Sequence, residues 1–401
     1  MTRTARTTRR LIVLGSTGSI GVNTLKVVRH LNETDAADIR VVGLAAGRSI
    51  DKLIEQARAF SVPAVAIADA SKANDLRGAL PGVKVFAGPD ACLHLTEEID
   101  ATDLCAAMVG SAGLPATLAG VRKGMTVSLA NKETLVAAGA LVVPLVRRHH
   151  ARLLPVDSEH SAIFQCIHGH PAGAVKRIVL TASGGPFRRM PHHEMQEATV
   201  EQALKHPTWN MGPKITIDSA SMMNKALEIV EAHWLFDLPP EKIAVIVHPQ
   251  SVVHSFVEFE DNSVLAQLGP PDMKTPIQYA LTYPDRPAGC SDALDWTKLR
   301  ELTFEPPDFE KFGGLRLAYD VIEAGGTAGA VFNAANEAAV AAFLERKIRF
   351  GRIVELVAEA LSAIAPEPAD NLETILDADR RARAFVGERI DAETLLHARH
   401  S

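Results

Sequence analysis

The chain predicts an α/β protein with a helical C-terminal region, and three observations predict it. Apolar runs of strand length alternate with polar or helical segments through the first third. A glycine-punctuated turn joins the first of these runs to a helix. The residues from about 315 onward are alanine-rich, with apolar positions at helical spacing.

The first run, 11–14, is followed by Gly15, Ser16, Thr17, Gly18, Ser19, Ile20 and Gly21, and then by a helical pattern. Strand, glycine turn and helix occur in the order a dinucleotide-binding unit requires. The glycines admit a pyrophosphate close to the backbone, and the helix start supplies N–H donors. The second strand, 39–46, runs into Gly47, Arg48 and Ser49 rather than into an acidic residue. An arginine and a hydroxyl suit a ribose 2′-phosphate, which favours NADPH over NADH. The basic, threonine-rich residues 1–10 have the composition of a transit peptide but read as a tail, because the first strand begins at once.

Further strands are expected at 64–67, 104–109 and 126–129, giving a parallel sheet covered by helices. The last of them ends at Asn131, Lys132 and Glu133, a polar cluster where open α/β sheets bind ligands; helix capping by Asn131 is the alternative reading. The run 153–156 reads as a buried strand, so that Asp157 and Glu159 beyond it project to one side. Residues 215–218 read as a strand turning into a helix, with Ser219 or Ser221 as cap. On that helix Asn224, Lys225 and Glu228 share a face. Carboxylates gathered beside an amide and an ammonium are how a hard divalent cation and a phosphorylated substrate are held together.

The middle of the chain adds a strand at 176–182 that enters Ser183, Gly184 and Gly185, a backbone nest of the kind that accepts phosphate. A strand at 243–248 and a hairpin of 255–259 with 264–268, turned at Asp261 and Asn262, follow. The loop 206–213 carries Trp209 and Met211 among loop formers, so it either packs down or closes over a ligand. Residues 295–314 read as a linker, and Ile353, Leu356, Val357, Ala360, Leu361 and Ile364 mark a buried helical face in the region beyond it. The histidine pairs 149–150 and 192–193, with His168 and His170, lack metal-ligand spacing and are read as structural.

With 401 residues, 47% hydrophobic and 22% charged, the chain is long enough for two or three packed domains. The expected division is 1–155 for dinucleotide binding, 156–294 for metal and substrate, the linker 295–314, and 315–401 as a helical bundle. A formal net charge of -6 gives no general attraction to nucleic acid or to an anionic membrane, and a small-molecule partner is expected instead. Four scattered cysteines without a CxxC pair, and the lack of a spanning apolar stretch, suit the reducing cytoplasm.

Six motifs in order carry a resemblance over essentially the whole length: GSTGSIG at 15–21, LANKETL at 129–135, LLPVDSEHSAIFQ at 153–165, LTASGGPF at 180–187, HPTWNMGPKITIDSASMMNKALEIVEAHWLF at 206–236 and HPQSVVHSFVEF at 248–259. The chain resembles the 1-deoxy-D-xylulose 5-phosphate reductoisomerase family. The resemblance implies an NADPH-dependent cytoplasmic homodimer of the non-mevalonate isoprenoid route. Its N-terminal Rossmann-like NADPH domain would be followed by a central α/β catalytic domain and a C-terminal helical bundle. It also implies Mn²⁺, Mg²⁺ or Co²⁺, held by Asp157, Glu159 and Glu228.

Ser158, Ser183, His206, Ser219, Asn224 and Lys225 become substrate contacts by the same resemblance, with Lys132 reaching the substrate from the cofactor side and Trp209 covering it. Glu159 and Glu228 also face the substrate, and Lys132 and His206 join the three metal ligands as catalytic residues. Thr17, Gly18, Ser19 and Ile20, with Gly47, Arg48, Ser49, Asn131, Glu133 and Gly212, become NADPH contacts, in line with Gly15 and Ser16 in the turn. The loop 206–213 corresponds to a mobile loop; Thr208 and Asn210 beside Trp209 depart from some relatives. The implied reaction rearranges 1-deoxy-D-xylulose 5-phosphate and reduces the resulting aldehyde to 2-C-methyl-D-erythritol 4-phosphate. An NADP-dependent sugar-phosphate or aldehyde dehydrogenase would share the N-terminal signal without needing three carboxylates, and a non-catalytic NADPH sensor would tolerate a damaged centre.

Overall fold

The computed structural model describes residues 8–209 and 211–400. Asn210 and the basic segment 1–7 lie outside the described residues. Two compact units are present: 1–134 with 142–161 and 272–293, and 135–141 with 162–271 and 294–401. The segment 272–293, grouped with the central region in the sequence reading, therefore belongs to the first unit.

The elements of the first half run β1 (Arg9–Leu14), α1 (Ser19–Glu33), β2 (Ile39–Ala46), α2 (Ile50–Phe60), β3 (Ala64–Ile67), α3 (Ala73–Ala79), β4 (Lys84–Ala87), α4 (Ala91–Glu98), β5 (Asp103–Ala106), α5 (Leu114–Arg122), β6 (Thr126–Leu129), α6 (Glu133–Arg148), β7 (Arg152–Pro155) and α7 (Ser158–Ile167). All seven strands are parallel, in the order β4-β3-β2-β1-β5-β6-β7. The chain winds outward from β1 to β4, returns to β5 beside β1, and winds the other way. That reversal makes the carboxyl ends of β1 and β5 the switch point where such sheets bind ligands. The inner strands are buried on both faces, with Leu11 to Leu14, Val65 to Ile67 and Leu104 all inaccessible.

The elements continue with β8 (Val175–Ala182), α8 (His192–Gln196), α9 (Val200–Ala203), α10 (Pro213–Ala220), α11 (Met223–Phe236), β9 (Ile243–Val247), β10 (Val253–Phe259), β11 (Val264–Leu268), α12 (Lys274–Thr282), α13 (Gly314–Ala324), α14 (Ala328–Leu344), α15 (Arg352–Ala363) and α16 (Leu372–His400). The second unit holds a mixed sheet in the order β11-β10-β8-β9. β8 and β9 are parallel, and β10 and β11 form the expected hairpin, with Asn262 left-handed in its turn. Helix α14 is buried nearly all round and serves as the hub on which α13, α15 and α16 pack.

Two local expectations are corrected. Residues 215–218 are not a strand but the body of α10. Gly212 stands at its N-cap, Pro213 at its first position, and Thr216 Oγ returns a 2.8 Å bond to the Gly212 carbonyl. Proline at a first helical position is already set for the helix, which outweighs the β-branched alternation of Ile215, Thr216 and Ile217. Asp157 and Glu159 likewise are not on one face of a strand. β7 ends at Pro155, the Asp157 carbonyl accepts the Ser161 N–H at 2.8 Å, and Glu159 sits in the first turn of α7. Strand β4, an edge strand of four residues with a single buried side chain, is an addition to the expected strands.

Candidate functional site

In the first unit the glycine turn is shaped by its neighbours. Gly15 has φ +80°, and a Cβ there would stand 2.4 Å from the Ala107 carbonyl oxygen, so both conformation and space demand glycine. The Gly15 and Ser16 N–H groups donate to the Ala45 carbonyl at 3.0 and 2.8 Å. Helix α1 then begins without a side-chain cap; the Gly18 N–H is spent on the Gly15 carbonyl at 3.1 Å, so its start offers an anion the N–H groups from exposed Ser19 onward.

Two α2 side chains, unrecognised from sequence, steady this turn: Lys52 donates to the Thr17 carbonyl and Gln56 to the Ser16 carbonyl, each at 2.9 Å. Gly47, Arg48 and Ser49 follow β2 and are exposed. Asp69, held below the usual carboxylate range first by the Ser71 hydroxyl, also feels the Arg48 charge.

At the end of β6, Asn131 has two tasks. Its oxygen accepts the Thr134 N–H at 2.8 Å and hydroxyl at 2.9 Å, capping α6, while its amide donates to the Gly110 carbonyl at 2.8 Å. Asn131 thus caps the helix, but the rest of that alternative, Lys132 and Glu133 in solvent, is not met. Lys132 is buried rather than solvated and pairs with Asp157. His160 Nδ1 lies 3.9 Å from the same carboxylate, and Ser158 Oγ donates to Glu159. Lys132, Asp157, Ser158 and Glu159 therefore form one cluster. Glu133 is buried beside it in sequence.

The second unit gathers the remaining residues in two groups. On α11, Glu228 is inaccessible to solvent; one oxygen accepts from the Asn224 amide at 2.5 Å and the other pairs with Lys225. The shared helical face read from sequence is present. The helix follows a left-handed Met222, φ +60°, and Ser221 Oγ accepts the Met223 N–H at 3.4 Å. Ser219, considered as a cap, lies instead in the last turn of α10, buried.

The other group surrounds Ser183. Gly184 and Gly185 are left-handed at φ +81° and +65°, and a Cβ on Gly185 would stand 2.5 Å from the Ser219 carbonyl oxygen. His206 Nδ1 accepts the N–H groups of Thr208 at 3.1 Å and Trp209 at 2.8 Å, which places its proton on Nε2, 3.1 Å from Ser183 Oγ. Ser183 Oγ also accepts the Gly185 N–H at 3.2 Å. With both lone pairs used, its own O–H is left to donate, as an anion contact requires. Burial holds the His206 pKa below its ordinary value. The Trp209 ring lies 6.5 Å from that of His254.

Sequence comparison decides among the readings of such an arrangement. Residues 11–139 match the family described as 1-deoxy-D-xylulose 5-phosphate reductoisomerase, 153–236 its C-terminal domain, and 268–385 the DXP reductoisomerase C-terminal domain. The 1-deoxy-D-xylulose 5-phosphate reductoisomerase of Chlorobium chlorochromatii is 52% identical over 378 residues, 94% of this chain and 98% of that relative. The chain belongs to the 1-deoxy-D-xylulose 5-phosphate reductoisomerase family.

The family's Zymomonas mobilis member is 49% identical over 377 residues, 94% of this chain and 96% of its own. A solved structure of the reductoisomerase from Zymomonas mobilis in complex with NADPH superposes with a TM-score of 0.89 at 47% identity, covering 96% of this chain and 99% of that one. A crystal structure of DOX-P reductoisomerase with NADPH, fosmidomycin and magnesium gives a TM-score of 0.91 at 38% identity, with 96% and 99% covered. Both folds agree with the reductoisomerase architecture expected from the six motifs.

Proposed function

We propose that this protein converts 1-deoxy-D-xylulose 5-phosphate to 2-C-methyl-D-erythritol 4-phosphate, using NADPH and a divalent cation. Full-length membership of the reductoisomerase family supports the reading, and one structural observation carries it to these residues. Glu228 is wholly buried and paired with the equally buried Lys225, an arrangement too costly to keep for packing alone.

The donor chemistry fits a hard cation. Asp157, Glu159 and Glu228 offer only carboxylate oxygens, the ligand type that Mg²⁺ and Mn²⁺ prefer. These three would hold it, and when bound it supplies Lewis-acid stabilisation to the oxygens of the substrate. NADPH supplies the hydride. Lys132 adds positive charge beside Asp157, and Ser158 orients Glu159. Ser183, Ser219, Asn224 and Lys225 bind the phosphate, with His206 fixing the Ser183 hydroxyl. Trp209 covers the substrate and excludes water. Gly15 to Ile20, Gly47 to Ser49, Asn131, Glu133 and Gly212 contact the cofactor, with Arg48 on the 2′-phosphate.

The segments 1–155, 156–294 and 315–401 serve as nucleotide, catalytic and helical domains, with 272–293 of the catalytic segment packed into the first compact unit. A homodimer is supported by the outer edge of β11, where Val264 and Leu265 are 52% and 41% exposed. No described helix is long and apolar enough to cross a membrane; a cytoplasmic location is proposed on the cysteine usage. The deciding experiment follows NADPH oxidation with 1-deoxy-D-xylulose 5-phosphate, with EDTA and then with excess Mn²⁺, and identifies the product. Oxidation insensitive to chelation, or without skeletal rearrangement, would overturn the proposal in favour of a simple dehydrogenase.

A further inference from the structure

The segment 295–314, read from sequence as a linker, contains a clasp around the Ser183 turn. Glu305 exchanges two 2.9 Å backbone bonds with Val247 of β9, which fixes this otherwise irregular stretch against the sheet. Its carboxylate then pairs with Arg188. The Arg188 stem lies over the turn itself, since a Cβ on Gly184 would stand 2.6 Å from Arg188 Cδ.

Lys311, farther along the same stretch, donates to three carbonyls: Phe187 at 2.7 Å, Arg188 at 3.0 Å and Met190 at 2.6 Å. An ammonium has three N–H bonds, and all three are used. The charge therefore does not reach a ligand. It gathers the backbone that leaves the nest, drawing the carbonyl dipoles of Phe187, Arg188 and Met190 onto one ammonium just beyond the Ser183 to Gly185 turn. Phe187, inaccessible and packed edge-on to Phe350 at 5.0 Å, anchors the same stretch.

We infer that Lys311, assisted by the Arg188 to Glu305 pair, is a positioning residue that holds the Ser183 to Gly185 nest in shape for the substrate phosphate. This rests on the reading above that Ser183 binds that phosphate. A nest with a loosened exit binds phosphate less well and leaves the remainder of the site alone, so the effect belongs to the phosphorylated substrate.

The test compares kcat/KM for 1-deoxy-D-xylulose 5-phosphate with that for 1-deoxy-D-xylulose in the full-length protein, for Lys311→Met, Lys311→Arg, Glu305→Gln and Ser183→Ala. The ratio should fall about tenfold in Lys311→Met, recover in part in Lys311→Arg, and fall less in Glu305→Gln, with the NADPH KM unchanged. A merely structural role would lower both kcat/KM values together and leave the ratio alone. If Ser183→Ala lowers the ratio and folded Lys311→Met does not, the inference is overturned while the phosphate reading stands. If Ser183→Ala leaves the ratio unchanged, the phosphate reading fails and the inference with it. Should Lys311→Met not fold, Glu305→Gln decides: a lowered ratio supports the clasp, and an unchanged one removes it.

Discussion

Lys225 and Glu228 form an ion pair one turn apart on α11, with only 3% and 1% of their side chains exposed. Burial makes each charge dependent on the other, because an isolated carboxylate or ammonium there costs several kcal/mol. On the proposal that Glu228 binds the metal, removing its charge acts twice, deleting a ligand and stranding the Lys225 ammonium. Glu228→Gln should lose about 10²-fold or more in metal-supported turnover while NADPH affinity stays intact, by analogy with the loss of a charged ligand. Turnover near the wild-type level at low Mn²⁺ would remove Glu228 from the metal centre.

Arg48 is exposed just beyond the end of β2, in a Gly47 to Ser49 stretch that carries no acidic residue. If it pairs with the 2′-phosphate, Arg48→Ala should weaken NADPH by roughly 1.5–3 kcal/mol, the range for a hydrogen bond to a charged group, and leave NADH nearly unchanged. Titration of both cofactors measures it. An equal loss for the two would assign Arg48 to the loop rather than to specificity.

Legibility in the sequence followed the range of the interactions. The glycine turn, the hairpin at Asn262 and the face shared by Asn224, Lys225 and Glu228 are set by residues within a few positions, and all were readable. The strand expected at 215–218 failed because alternating β-branched residues are a weak preference. The helix was fixed by Pro213 and later by burial, with Asp218 bonded to Lys214 at 2.7 Å and to Asn336 at 2.9 Å. Asp157 and Glu159 were found as a pair but misplaced, since two residues past a strand cannot show whether pleat or helix follows. The clasp of Lys311 on residues 187–190 spans more than a hundred positions. No local pattern marks such a contact, so an irregular, proline-bearing stretch read as a linker.

His206 makes the loop turn sensitive to acid. Its folded pKa lies below the ordinary 6.5 through burial, and its Nδ1 must stay unprotonated to accept the Thr208 and Trp209 N–H groups. The folded state binds the proton less readily than the unfolded one. The contribution to stability is thus complete above pH 6.5 and is lost as pH falls from there through the lower folded value. Trp209 fluorescence of the free protein should titrate with a midpoint under 6.5. His254 also faces Trp209, so His206→Asn, which keeps an acceptor but does not titrate, is the control and should abolish the transition. A midpoint above 6.5, or one that persists in His206→Asn, would contradict this account.

Closure of Trp209 should depend on the phosphate end of the ligand. Ordering a loop costs roughly 1–2 kcal/mol of backbone entropy per residue, so 206–213 closes only if binding offsets that loss. Ser183 is bonded to His206, which in turn holds the Trp209 N–H, and a ligand on the Ser183 hydroxyl is therefore linked to the loop through two hydrogen bonds. A phosphonate hydroxamate brings both an anionic tail and a metal-chelating head. Its addition should change Trp209 fluorescence in the wild type, and Lys225→Ala should lose most of that response, because the tail is left without its cation. Trp234 and Trp296 also emit, so the comparison is made against Trp209→Phe, which should be silent. A full response in Lys225→Ala would mean that the chelating head alone drives closure, and the coupling between phosphate and loop would have to be abandoned.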